Sequence, residues 1–148
     1  MKFRIDKYND TYRQQVLEVW EASVRATHHF LNSDDIDFYK AIVSKIDFNQ
    51  FTVYLSLSDK DEVLGFLGVA DKKLEMMFLK PECIGKGIGR ALTSLAIDEL
   101  HVTEVDVNEG NVNAVIFYKS FGFEEYDRTE LDSTGMPYPI LKMRLRVE

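Results

Sequence analysis

The sequence predicts an α/β fold of the α+β kind: a mixed, largely antiparallel seven-stranded sheet flanked by four helices, in one domain spanning 1–148. Three observations carry that prediction. Alternating apolar and polar residues mark hairpin-linked strands in the middle and at the end of the chain, and amphipathic helical stretches separate them. Between Leu74 and Val107 a strand, a glycine-rich loop, a helix and another strand follow one another, and such a crossover makes the two strands parallel.

Taken in order, Phe3 and Ile5 alternate with charged residues and suit a short first strand. Asp10 is the expected cap of a helix in which Val16, Leu17, Trp20 and Val24 recur at helical spacing, with Thr27-His28-His29-Phe30-Leu31 at its far end. A second helix follows Ser33-Asp34-Asp35, with Tyr39, Ile42, Val43 and Ile46 on one face. Phe51, Val53, Leu55 and Leu57 then alternate with Thr52, Tyr54 and Ser56, and Ser58-Asp59-Lys60-Asp61 has hairpin-loop composition before the strand Val63 to Ala70. Asp71-Lys72-Lys73 turns the chain into Leu74 to Leu79, whose near-continuous apolar character indicates a strand covered on both faces. Ile88, Leu92, Leu95, Ala96 and Leu100 form the buried face of the next helix, and Val105 and Val107 the strand beyond it. Asn111 caps a helix over Ala114 to Phe121, which Gly122 stops in the left-handed conformation. Phe123 to Leu131 and Ile140 to Val147 complete the sheet as two long strands.

With 45% hydrophobic and 29% charged residues, the 148-residue chain has the composition of a globular domain with one core. A formal charge of −7, with basic residues scattered, argues against a nucleic-acid partner, which requires a basic face, and slightly favours cationic substrates. The single cysteine, Cys83, offers neither an intramolecular disulfide nor a metal cluster, so no metal is expected. No signal-peptide pattern or membrane-length apolar run occurs, and the expected location is the cytoplasm, with no membrane partner. The exposed final strands allow either a monomer or a homodimer.

The most informative stretch is Gly85-Lys86-Gly87-Ile88-Gly89-Arg90. Glycines at alternate positions, where a helix begins after a strand, leave a row of backbone N–H groups open to an anion such as a phosphate. A Walker-type loop is excluded because Gly87 stands after Lys86 where Ser or Thr would hold magnesium, and the spacing also misses the GxGxxG of dinucleotide folds.

This loop, followed by Asn111-Val112-Asn113-Ala114-Val115-Ile116-Phe117-Tyr118-Lys119-Ser120-Phe121-Gly122-Phe123, resembles the GNAT family of acetyl-CoA-dependent N-acetyltransferases. The first block is similar to the family's [R/Q]xxGxG/A loop and the second to its N-x-x-A-x-x-F-Y-x-x-x-G-F block; the predicted element order extends the agreement over the whole chain. Ala26 to Leu31 and Pro137-Tyr138-Pro139 are similar to a small bacterial subgroup. The resemblance implies a GNAT-like fold, acetyl-CoA as cofactor, and cofactor contacts from Phe78, Leu79, Ile84, Gly85, Lys86, Gly87, Ile88, Gly89, Arg90, Asn108, Asn113 and Tyr118. Ile84 stands where the family has Arg or Gln, so Lys86 or Arg90 would supply the compensating charge.

Transfer to an amine requires a neutral nucleophile, and holding a lysine-like amine neutral at pH 7 costs about 4–5 kcal/mol. Two bases compete for that role: Glu75, which interrupts the apolar strand before the loop, and His28 at the end of the first helix, with His29 a weaker rival. Each also has a structural reading, Glu75 as a solvent-facing residue and the histidines as helix-end residues. By the resemblance Tyr118 protonates the departing CoA thiolate. Cys83 is not expected to act covalently, and Tyr138 either borders the acceptor cavity or packs the last hairpin. The expected function is direct acetyl transfer to a primary amine of a small molecule or peptide; the alternative is a non-catalytic acyl-CoA-binding or sensor domain.

Overall fold

A computed structural model describes residues 2–146. The seven strands are β1 (Arg4–Lys7), β2 (Thr52–Leu57), β3 (Val63–Ala70), β4 (Lys73–Leu79), β5 (Glu104–Asn108), β6 (Phe123–Thr129) and β7 (Ile140–Leu145), and the four α-helices are α1 (Arg13–Thr27), α2 (Ser33–Val43), α3 (Ile88–Asp98) and α4 (Val112–Ser120). The strands form one sheet in the order β1-β2-β3-β4-β5-β7-β6, antiparallel everywhere except between β4 and β5. This is the mixed, largely antiparallel sheet with four helices that the sequence predicts. Val147, assigned to the last strand from the sequence, lies outside the described residues.

The alternation seen in the sequence becomes two cores. Val53, Leu55, Leu57, Val63 and Phe66 face α1 and α2, where Val16, Val19, Trp20, Val24 and Ile36 meet them. Leu64, Leu67, Val69, Leu74, Val105, Val107 and Met143 pack under α3 and α4 with Ile88, Leu92, Ala96 and Tyr118. Each fully buried aliphatic side chain is worth roughly 1.5–3 kcal/mol of transfer free energy, so both faces of the central strands are committed to the core.

Three elements end short of expectation, α2 at Val43 before Ile46, α3 at Asp98 before Leu100 and β6 at Thr129 before Leu131, and two further details depart from it. The cap ahead of α1 is Asn9, whose side chain accepts from Thr11 N–H at 3.0 Å to start a 3-10 turn; Asp10 sits one residue inside it and accepts instead from the Tyr8 hydroxyl at 3.0 Å. Extended backbone at Asn9 leaves its short side chain free to reach forward, as capping needs. Glu75 is the extra residue of a β-bulge: Gly68 pairs with Met76 and Val69 with Leu74, so Glu75 has no partner on β3. The bulge reverses the in-and-out phase of β4, placing Leu74 and then Met77 and Leu79 on the α3 side, with Met76 and Phe78 on the α1 side.

That bulge sits where the sheet opens. β4 and β5 pair only at Lys73 with Glu104 and Leu74 with Val105, and from Glu75 onward the two strands part. Bulges bend and twist the strand that carries them. The remainder of β4 therefore diverges from β5 and leaves a wedge above the crossover helix.

Candidate active site

The wedge is the mouth of a cleft of about 630 Å³. Its floor is the diverging part of β4, represented by Met77, Phe78 and Leu79; one wall is the end of α1, and the other is the start of α4. The glycine loop closes one end. After Pro81–Cys83 forms a 3-10 turn, Ile84 is extended, Gly85 has φ of 80°, and Gly87 has φ of 91° as the residue that caps α3. The first main-chain bond of α3 runs from Ala91 N–H to the Gly87 carbonyl at 3.0 Å, so the N–H groups of Ile88, Gly89 and Arg90 have no helical acceptor. Together with the positive end of the helix dipole they can hold an anion. A Cβ on Gly85 or Gly87 would meet nothing within 4 Å, so these glycines serve the backbone's left-handed turns rather than close packing.

Of the residues singled out in the sequence, Phe78, Leu79, Ile84, Gly85, Gly87, Gly89, Arg90, Asn113, Tyr118 and His28 line this cleft. Arg90 lies over the ring of Phe121 at 5.2 Å, which holds its guanidinium at the anion end. Ile84, 48% exposed, places an alkyl side chain at the rim. Four other candidates are outside the lining. Ile88 is fully buried under the helix, so only its backbone belongs to the loop; Lys86 is exposed. Asn108 ends β5, where its carbonyl accepts from Asn111 N–H at 3.0 Å. Glu75, the bulge residue, is exposed beside Lys73 and Asp106; partial burial and the neighbouring acids Asp106 and Asp71 raise its pKa against the opposing pull of Lys73.

Tyr118 is 6% exposed, wedged edge-on against Phe123 with ring centroids 5.8 Å apart. Burial pushes its phenol above the ordinary range, so the group stays protonated at neutral pH. Among the described residues, Ser56 Oγ is the one enclosed side-chain polar atom without a hydrogen-bond partner. The Tyr118 hydroxyl, which bonds to no described residue, is therefore open to the cleft rather than sealed in the core.

On the opposite wall, His28 ends α1 and is half-buried between Phe30 and Phe78, at centroid distances of 5.4 and 6.3 Å. Burial, with a smaller contribution from His29, lowers its pKa to about 4. The imidazole is neutral at pH 7. Tyr138 does not line the cleft; its hydroxyl donates to Asp35, and its ring lies 5.6 Å from Phe30. A second bond, from the Tyr39 hydroxyl to Asp132, also ties α2 to the connection between β6 and β7. Phe30 in turn rests on Gly110, where an added Cβ would fall 2.6 Å from the ring. These contacts fasten the His28 segment over the cleft.

The cleft also takes in residues to which the sequence assigns no site role, Ser23, Ala26 and Thr27 on α1 and Asn111, Ala114 and Phe117 at the start of α4; Met77 of β4 and His29, the weaker rival as base, line it as well. Asn111, Ala114 and Phe117 belong to the block that carries the family resemblance. Among the described residues no carboxylate lines the cleft, and its fixed charge comes from Arg90 and the helix end.

A pocket with a fixed anion site at one end and an apolar channel beyond it fits a long cofactor with phosphates on a neutral arm. Over residues 10–146 the chain matches the acetyltransferase (GNAT) domain model, and it belongs to that family. It is an acetyl-CoA-dependent acetyltransferase of the GNAT class. The peptidyl-lysine N-acetyltransferase YjaB of Salmonella typhimurium is 33% identical over 133 residues, covering 88% of this chain and 89% of the relative. The apo-form solution structure of YjaB from Escherichia coli superimposes with a TM-score of 0.90 at 28% identity, covering both chains completely. YjaB represents the bacterial subgroup to which Ala26–Leu31 and Pro137–Pro139 pointed. The fold is shared with the PaiA N-acetyltransferase of Thermoplasma acidophilum, solved in complex with coenzyme A, at a TM-score of 0.75 and 21% identity, over 97% of this chain and 99% of that one.

Proposed function

We propose that the chain, acting as one domain over 1–148, transfers an acetyl group directly to the side-chain amine of a peptide lysine, with His28 receiving the amine proton and Tyr118 supplying the thiolate proton. The observation that carries this reading is that His28 and Tyr118, one on each wall, both open into a cleft that no carboxylate of the described residues lines. The names of the YjaB relatives support lysine as the acceptor. Acetyl-CoA, when bound, supplies the thioester.

The N–H groups of Gly85 to Arg90, with the Arg90 guanidinium, would hold the phosphates, while Phe78, Leu79, Ile84 and Asn113 would border the neutral arm. Past Leu74 the N–H groups of β4 on the side facing β5 have no strand to bond, so one near Met77 to Leu79 would be free to donate to the thioester carbonyl oxygen. As the new N–C bond forms, the amine nitrogen becomes acidic, and Nε2 of neutral His28 accepts its proton. Tyr118, still protonated because burial raises its pKa, donates to the leaving sulfur. Glu75, exposed at the bulge and outside the lining, is the less favoured base. Cys83 is 1% exposed with its thiol pKa raised by burial, which favours direct attack over a cysteine-bound acyl group.

Thiol release from acetyl-CoA is measured with lysine peptides, a polyamine and free amino acids as acceptors. The lysine peptide gives the highest kcat/KM, and Tyr118→Phe lowers kcat by about 10² or more with little change in the KM for acetyl-CoA. Equal turnover of Tyr118→Phe and the parent chain removes Tyr118 from the mechanism; preference for the polyamine refutes the lysine assignment.

A further inference from the structure

Thr27, the residue before His28, makes two contacts through one hydroxyl. Its Oγ1 lies 2.7 Å from the Ser23 carbonyl, one helical turn back, and 2.8 Å from His28 Nδ1. A hydroxyl carries one hydrogen and a carbonyl carries none. Both contacts are hydrogen bonds in one arrangement: the Thr27 hydroxyl donates to Ser23, and Nδ1–H of His28 donates to the Thr27 oxygen. The opposite tautomer would spend the Thr27 hydrogen on Nδ1 and leave two oxygens facing each other at 2.7 Å with nothing between them.

We propose that Thr27 is a positioning residue that locks His28 in the Nδ1–H tautomer, so that the unprotonated nitrogen presented to the cleft is Nε2. This rests on the reading of His28 as proton acceptor. The geometry supports it independently. Nε2 bonds to no described residue and is not among the enclosed unpartnered atoms, so it is open in a residue that lines the cleft. The rings of Phe30 and Phe78 on either side restrict rotation of the imidazole, and Ser23, the final acceptor of the relay, is buried at 5% exposure. An isolated imidazole prefers the Nε2–H form, in which Nε2 can accept no proton; the Thr27 bond reverses that preference where acceptance is required.

The tautomer is read directly from a long-range ¹H–¹⁵N correlation spectrum of the imidazoles at neutral pH, an observation that needs neither cofactor nor acceptor. In the parent protein, His28 shows protonated Nδ1 and unprotonated Nε2. In Thr27→Val, which keeps the side-chain shape, the signal moves toward Nε2–H and kcat on a lysine peptide falls about tenfold, with the KM for acetyl-CoA unchanged. Thr27→Ser restores both. An Nε2–H signal in the parent protein overturns the proposal, and so does a Thr27→Val variant that keeps the parent kcat. His28→Gln separates this failure from that of the underlying reading. A slow His28→Gln alongside a fast Thr27→Val defeats the relay alone, whereas parent-like turnover in His28→Gln defeats the base assignment itself.

Discussion

His28 makes the stability of the protein depend on acid at a single side chain. Unfolded, a histidine titrates near 6.5; folded, burial beside Phe30 and Phe78 holds this one at about 4. Between those values the unfolded chain binds a proton that the folded chain refuses, so stability present above pH 6.5 is lost as pH falls toward 4. A shift of this size corresponds to at most about 3 kcal/mol. His28→Phe keeps an aromatic ring between the same neighbours but cannot be protonated. Urea denaturation of the two proteins at pH 7 and at pH 4 checks the effect: the parent loses more stability than the variant, by roughly 2–3 kcal/mol. Parallel losses would show that His28 takes up its proton in the folded state as readily as in the unfolded one.

The beginning of α3 shows how an element, rather than a side chain, offers the proposed anion site. Gly87 takes φ of 91° while open space surrounds its missing Cβ, so an alanine there is opposed by backbone conformation alone, at roughly 1–2 kcal/mol. Gly89 is helical, and its Cβ would touch Leu79 and Phe117 at an ordinary 3.6 Å. Gly87→Ala is therefore expected to lower stability and to weaken coenzyme A binding about tenfold as the N–H row turns away. Gly87→Asn loses less, because asparagine tolerates the left-handed region, and Gly89→Ala preserves stability. Denaturation and calorimetry on the three variants check that order, and a Gly89→Ala as damaging as Gly87→Ala contradicts it. These glycines, the meander and the crossover were legible in the sequence because spacing and alternation are local properties. The β4 bulge was not: Leu74-Glu75-Met76 reads the same whether or not Glu75 has a partner on β3, and only the register against Gly68 and Val69 reveals it. The α1 wall was visible only at its end, where His28, His29 and the Ala26–Leu31 stretch stood out. Ser23 carries no signal by composition, and it joins the site because α1 crosses β3 and β4. The start of α4 was half visible, since its motif stood out but a helix apolar on most sides, with Val112 and Ile116 each 61% exposed, does not disclose which side meets the cleft.

At the scale of the molecule, the sheet consists of two parts that meet weakly along one seam. β1 to β4 carry α1, α2 and the glycine loop; β5 to β7 carry α4 and Tyr118, and between them β4 and β5 share only the pairs at Lys73 and Leu74. Beyond the seam, the two parts are linked by Phe30 on Gly110, by Phe117 beneath Gly89 and by the tyrosine–aspartate bonds between α2 and the β6–β7 connection. A ligand that spans from the α3 N–H groups to Tyr118 touches both parts, so its binding energy adds to the cohesion of the seam as well as to the loop. Coenzyme A at 100 times its Kd contributes about 2.7 kcal/mol to the folded state. For a chain of this length that raises Tm by roughly 5–10 °C. The same ligand should slow hydrogen exchange on both sides of the wedge, in Met77 to Leu79 and in the first turn of α4, together with the loop at Gly85 to Arg90. Protection confined to the loop, even with the full rise in Tm, would mean that the phosphates alone are held and that the splayed strands do not grip the arm; protection on both sides is the outcome the geometry requires.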